Sequence, residues 1–155
     1  MPKPLDDATD RLLASLLAAD GRSTLKMLAE ATGLSVSAVQ ARVRRLETDG
    51  VIRGYFADVD PEAVGLPLAA IISLIPLDPT HEYEIPATLA GLPEIESCHS
   101  VAGDVSFVLF VRVATPTRLE ALIREVRKRA NVATRTTVVL QTSFERRARP
   151  PDELS

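Results

Sequence analysis

The chain is poor in the residues that build catalytic or metal centres: one cysteine, Cys98, and two histidines, His81 and His99, in 155 residues. A lone cysteine excludes an intrachain disulfide framework and suits a reducing compartment. Cys98 and His99 are neighbours on a predicted strand, so they point to opposite faces and cannot serve each other as nucleophile and base. Cys98 reads as a small core residue and His99 as a strand or interface residue. His81 lies in a polar loop, and the three side chains together have no metal-ligand spacing. Neither GxGxxG nor GxxxxGK[ST] occurs, so no phosphate loop is available. These absences predict no catalytic residues, no metal, no cofactor and no enzymatic activity.

Long apolar runs are also missing. The longest, around Pro67 to Pro76, is too short to span a bilayer, and no basic start leads into an apolar leader, so a cytoplasmic protein without a membrane partner is expected. Net charge is only −3 with a pI near 5.4, which excludes a broad basic surface coating nucleic acid. The distribution is uneven. Residues 1–56 hold eight Lys or Arg against seven Asp or Glu, whereas the remainder holds ten against fourteen.

The positive charge gathers in the stretch from Ser23 to Tyr55, STLKMLAEATGLSVSAVQARVRRLETDGVIRGY. Ser23 is a candidate N-cap for a short helix with Leu25, Leu28 and Ala29 on one face, and Gly33 stands where a left-handed residue would end it. Ser35 caps a second helix, on which Val36, Val39, Val43 and Leu46 form one narrow apolar stripe. At 100° per residue, Ser37, Ala38, Ala41, Arg44 and Arg45 fall on the opposite side, flanked by Gln40 and Arg42. Two helices joined by a Gly-containing turn, the second with a free face of small residues, an amide and arginines, describe a helix-turn-helix. Small side chains let the backbone approach base edges, where Arg reads guanine and Gln reads adenine. Arg42 and Arg45 are expected on phosphates. The candidate double-stranded-DNA contacts are therefore Ser35, Ser37, Gln40, Arg42, Arg44 and Arg45. The run DGVIRGY predicts a wing or exit strand. Upstream, Leu5 to Ala19 predicts a first helix, capped by Asp6 or Asp7, with Leu12, Leu13, Leu16 and Leu17 packing behind the other two.

DVDPEAVGLP, with two prolines, a glycine and acids, reads as a linker. Beyond it the pattern predicts a strand in LAAIISLI, a helix from Ile85 to Gly91, strands from Ile95 to Val101 and Val105 to Val113, a helix opened by a Thr117/Glu120 capping box, and a strand from Thr136 to Phe144. That order is ferredoxin-like, βαββαβ, with both helices on one sheet face. Ile72, Leu74, Phe107, Leu109, Val111, Val138 and Leu140 leave too little polarity for a wetted second face, so a second subunit's sheet is expected to cover it. A helix-turn-helix also favours a two-fold dimer. The fold class is thus α+β: a winged helix-turn-helix over 1–53, an exit strand and linker over 54–66, a ferredoxin-like domain over 67–146, and a loose tail over 147–155.

LDDATDRLLASLLAADGR, GLSVSAVQARVRRLETDGVIRGYFADVDPEAVG, ESCHSVAGDVSFVLFVRV and NVATRTTVVL together resemble the Lrp/AsnC (feast/famine) transcriptional regulators, in that family's order over nearly the whole chain. The wording SVSAVQARVRRLE and SVAGDVSFVLFVRVA looks most like actinobacterial, including mycobacterial, members. The resemblance implies a homodimer assembling to an octamer, with an amino-acid effector bound in clefts between dimers. It implies an effector site at Gly103, Asp104 and Ser106, with Thr134 and Thr136 contributing hydroxyls. Ser106 stands where many members have a second aspartate. Gly103 and Asp104 also suit an ordinary turn between strands. The function expected is a sequence-specific DNA-binding transcriptional regulator modulated by an amino acid; the alternative is an oligomeric metabolite-sensing or interaction module that does not bind DNA.

Overall fold

Asp7 caps the first helix, α1 (Ala8–Ala19), by accepting the backbone N–H groups of Thr9 at 2.8 Å and Asp10 at 3.3 Å. The computed structural model describes residues 7–145, so the expected start at Leu5 and Asp6 and the expected tail over 147–155 lie outside the described residues. Those residues divide into two units, 7–58 with 144–145, and Val59–Ser143.

In the first unit, α2 (Leu25–Thr32) is capped by the Thr24 hydroxyl, which accepts the Met27 N–H at 3.2 Å; Ser23, the expected cap, lies one residue too early. Gly33 ends α2 at φ +69°, a left-handed conformation that glycine adopts without steric cost. Ser35 then caps α3 (Val36–Thr48) as its sequence position predicts, accepting the Ala38 N–H at 3.2 Å. Leu13, Leu17, Leu28, Val39, Val43 and Leu46 close the core between the three helices. Each fully buried leucine there contributes about 1.5–3 kcal/mol relative to exposure. Val36 is not part of it: at the first turn of α3 it is 46 % exposed, beyond the reach of the packed stripe.

The expected wing strand over Gly54 to Phe56 does not form. Among the described residues of its unit there is no strand for it to pair with. Instead the chain turns after Gly50, Val51 and Ile52 pack onto the helical core, and the Tyr55 hydroxyl donates to Glu47 Oε1 at 2.9 Å. Burial and the Glu47 carboxylate both push the Tyr55 phenol up.

The second unit is a four-stranded antiparallel sheet in the order β2-β3-β1-β4, built from β1 (Leu68–Pro76), β2 (Ile95–Ser100), β3 (Phe107–Val113) and β4 (Val132–Val138). A 3-10 segment, Pro79–Glu84, runs into the short helix α4 (Ile85–Leu89), and α5 (Pro116–Ala130) joins β3 to β4. Ile85, Leu89, Leu119, Leu122 and Val126 of the helices pack on Ala70, Ile72, Leu74, Leu109 and Val111 of the sheet, so both helices cover one face. Cys98 packs at this core's edge, where burial pushes its thiol up. The order βαββαβ is the expected one, with three local differences. The α5 cap is Thr115, whose hydroxyl accepts the Arg118 N–H at 3.1 Å, because Pro116 occupies the first helical position; no Thr117/Glu120 box forms, and Glu120 pairs with Arg124. β4 starts four residues earlier than expected, because Asn131 ends α5 in the left-handed conformation and hands the chain straight to Val132. Its last expected residues, 139–144, continue without strand structure.

The third difference concerns the second face of the sheet. Ile72, Leu74, Phe107, Leu109 and Val111 all point to the helices, Val138 pairs with Ala70 on that same side, and Leu140 lies beyond β4. The open face is instead Ile71, Ser73 and Ile75 of β1, Val108, Phe110 and Arg112 of β3, Ser97 and His99 of β2, and Arg135 and Thr137 of β4. Its centre is apolar, with Ile71 directly opposite Phe110. The Arg112 guanidinium lies 5.4 Å from the Phe110 ring centre and donates to Glu96 at 3.0 Å. Among the described residues no helix is long and apolar enough to cross a membrane.

Candidate nucleic-acid interface and effector loop

Burying Val39, Val43 and Leu46 turns one strip of α3 outward: Ser37, Ala41, Arg44 and Thr48, with Gln40 on its flank, all exposed. Arg44 and Gln40 make no side-chain hydrogen bond or ion pair among the described residues, and the Ser37 hydroxyl lies 3.2 Å from that of Ser35. Ser35 is committed to its cap. The strip therefore combines a small-residue centre with unspent guanidinium and amide donors, the combination that enters a major groove.

Arg42 departs from its expected role, and Arg45 is partly engaged within the chain. Arg42 turns back to α1, donating from Nη1 to Asp7 Oδ2 and to Asp10 Oδ1, both at 2.8 Å. Arg45 donates from Nη2 to Asp10 Oδ2. Asp10, only 3 % exposed, thus joins two arginines one helical turn apart. The Arg42 hydrogen bond, with that of the Thr9 amide, holds the Asp7 carboxyl down to about 2. The same carboxylates push Arg42 above its ordinary value. Arg42 is an interhelix clamp rather than a free phosphate contact, since its place on the flank of the outward strip brings it against the start of α1. Arg45, with its side chain 54 % exposed, keeps donors on the solvent side. The signal is present in sequence as two acids three apart at the start of α1, one its cap and one in its first turn, and two arginines three apart in α3, but only their packing pairs them.

In the second unit, residues 101–106 connect β2 to β3. The Val101 N–H donates to the Ser106 carbonyl at 3.0 Å, and the Ser106 N–H to the Leu74 carbonyl at 3.0 Å, so the loop is pinned at its base. Gly103 at its tip has φ +143°, a conformation that side-chain-bearing residues rarely adopt, and open space where a Cβ would be. Asp104 is exposed beside it. Thr134 and Thr136 lie on β4 opposite Leu74 and Ile72, on the helix side of the sheet. Thr134 Oγ1 accepts from Arg127 Nε at 2.7 Å. The loop and the two threonines share one end of the sheet but are separated by β1, so a single chain does not gather them around one cavity.

At that end a cavity of about 210 Å³ is lined by Asp78, His81, Glu84, Thr88, Arg129 and Asn131 among others. His81, with no partner evident in sequence, pairs there with Asp78, Nδ1 to Oδ2 at 3.1 Å. Thr80 hydrogen bonds, with a smaller contribution from His81, hold the Asp78 carboxyl below its ordinary range.

Residues 6–53 match the winged helix-turn-helix DNA-binding family, and residues 71–149 match the Lrp/AsnC ligand binding domain. The chain is 52 % identical to the HTH-type transcriptional regulator LrpA of Mycobacterium tuberculosis over 151 residues, 97 % of this chain and 100 % of that protein. It superposes on the crystal structure of the M. tuberculosis leucine response regulatory protein LrpA with a TM-score of 0.85 at 53 % identity, covering 92 % of this chain and 97 % of that one. A feast or famine regulatory protein from M. tuberculosis, solved in complex with L-methionine, aligns with a TM-score of 0.86 at 53 % identity over 90 % of this chain and 95 % of that one. A helix-turn-helix with an unspent outer strip and a ferredoxin-like sheet with a pinned Gly-Asp loop accordingly belong together: this chain is a member of the Lrp/AsnC family of transcriptional regulators.

Proposed function

We propose that this regulator reads DNA through the outer strip of α3 and answers to an amino acid bound through the loop at Gly103 and Asp104. The observation that carries the reading is the strip itself, where Arg44 and Gln40 are exposed and unpaired among the described residues while Val39, Val43 and Leu46 pack inward and Arg42 is clamped to α1. In this reading Ser37 and Ala41 let α3 sit deep in the major groove, Gln40 and Arg44 read base edges, and Arg45 meets a phosphate. Ser35 serves as the helix cap beside them.

The amino-acid ligand of the similar M. tuberculosis protein supports the second half. Asp104 supplies the anion for an ammonium group, Gly103 a close backbone approach, and Ser106 a hydroxyl in place of a second carboxylate. Thr134 and Thr136 complete the pocket from another subunit, because β1 separates them from the loop within one chain. The apolar centre of the open sheet face, at Ile71, Ile75 and Phe110, is the surface for a homodimer, and dimers assemble further to an octamer in the cytoplasm. The amino acid acts by binding one assembly better than another, which changes the spacing of the reading heads.

The deciding experiment is binding to a labelled DNA fragment from upstream of the protein's own gene, beside a scrambled fragment, at fixed salt and with a panel of amino acids. Preference for the upstream fragment, altered by one or a few amino acids, is expected. Equal weak binding to both, whatever is added, would favour the interaction-module alternative.

A further inference from the structure

Asp10 is the only acidic side chain buried in the first unit's described core, and both of its oxygens are occupied by arginines from α3. Burying a carboxylate is costly unless it is fully paired, and here one guanidinium occupies each oxygen. The two partners differ. Arg42 is largely shielded and also held by Asp7, whereas Arg45 spends one nitrogen on Asp10 and projects the rest of its fork outward. An arginine anchored through one edge presents the other in a fixed plane, the geometry that suits a phosphate.

We propose that Asp10 is a positioning residue for DNA recognition: without touching DNA, it braces α3 on α1 through Arg42 and aims the free edge of Arg45 at a backbone phosphate. The proposal rests on the reading of α3 as the DNA-contacting helix. It assigns a functional role to a residue that helical pattern alone places among the ordinary acids of a first turn.

The test compares the full-length wild type with Asp10→Asn, Arg45→Gln and the double variant, measuring affinity for the upstream and scrambled fragments across a salt series. Losing one phosphate contact lowers the slope of log affinity against log salt by about one and weakens all sequences alike, on the order of tenfold at low salt. Arg45→Gln is expected to show this, Asp10→Asn to reproduce it, and the double variant to be no worse than Arg45→Gln. If Arg45→Gln leaves affinity and slope unchanged while Arg44→Ala still weakens binding, only this proposal falls; if neither variant changes binding, the reading of α3 falls with it. If Arg45→Gln loses the contact but Asp10→Asn keeps the wild-type slope, or weakens binding equally with and without Arg45, only the proposal falls and Asp10 is a structural clamp. A steeper slope and tighter binding in Asp10→Asn would also overturn it, by making Asp10 a damper of Arg45. Should Asp10→Asn not fold by circular dichroism, Asp10→Glu keeps the charge and displaces it by one methylene; a loss that requires Arg45 supports the proposal, and a loss independent of Arg45 overturns it.

Discussion

Ser106 and Thr134 meet the same residue from opposite sides: the Ser106 N–H donates to the Leu74 carbonyl at 3.0 Å, and Thr134 pairs with Leu74 across the β1–β4 ladder. The base of the candidate effector loop is therefore wired to the central strand, and the tip at Gly103 and Asp104 stands free of it. Asp104→Asn is expected to lower affinity for L-methionine, or for whichever amino acid the panel selects, by roughly tenfold to a hundredfold, the loss of one charge-assisted hydrogen bond. DNA affinity without amino acid should be unchanged. Calorimetric titration of wild type and variant decides it, and equal affinities would remove the loop from the site.

Arg44→Ala and Gln40→Ala are each expected to cost about 1–3 kcal/mol in DNA binding and to relax preference at one base pair. Selection from a randomised operator would show the relaxation. Arg42→Ala should behave differently, lowering the melting temperature of the first unit, because Asp10 loses a partner it has no room to exchange for water.

Asp7 links folding to acid pH. Its folded value of about 2 lies below the ordinary carboxylate value of 3.8, so the Arg42 pairing stabilises the fold fully above pH about 4 and is lost as pH falls toward 2. Asp7→Asn retains an N-cap and deletes the charge. Its melting temperature should sit below the wild type's at pH 6 and converge on it near pH 2; a gap that stayed constant across the acid range would contradict the pairing.

The two units should respond separately to a core cavity. Leu46, 1 % exposed at the centre of the helical core, has no part in the second unit's core. Leu46→Ala is expected to cost about 2–5 kcal/mol and to abolish DNA binding at moderate temperature while amino-acid binding persists. Loss of both activities in step would show that the sheet domain depends on the helical one.

For α5, Thr115→Ala should cost about 1 kcal/mol by removing the hydroxyl that accepts the Arg118 N–H. Thr117→Ala should change stability by no more than about 0.5 kcal/mol. Denaturant titrations of the pair distinguish the observed cap from the Thr117/Glu120 alternative.

Patterns that depend on neighbours in sequence were readable directly. The α3 stripe, the Ser35 cap, the Gly33 stop and the βαββαβ order all follow from local spacing, and all recur in the structure. Two misses are local, the caps of α2 and α5 falling one and two residues from their expected positions, and most of the others depend on a partner distant along the chain. The 54–56 strand finds no strand to pair with among the described residues of its unit, and Val36 has the right spacing but lies past the packed part of the stripe. Arg42 looked like a phosphate ligand because its acidic partners are 35 and 32 residues away. Apolar residues on both alternations of β1 and β3 hide which set faces the helices; packing puts Ile72 and Leu109 there and leaves Ile71 and Phe110 on the open face. In the candidate effector site, the loop was marked by Gly103, but the placement of Thr134 across β1 was set by a β4 register that sequence reading began four residues late.

Asn131 leaves α5 and β4 no slack. One residue reverses the chain between them, its carbonyl is tied to the Leu77 N–H at 3.1 Å, and Arg127 reaches across to Thr134 just beyond the bend. Helix and strand thus meet in an elbow with no intervening loop, held by one backbone and one side-chain hydrogen bond. The sheet edge at Thr134 and the last turn of the fifteen-residue helix α5 are thereby joined twice, once through the chain at Asn131 and once through the Arg127 side chain.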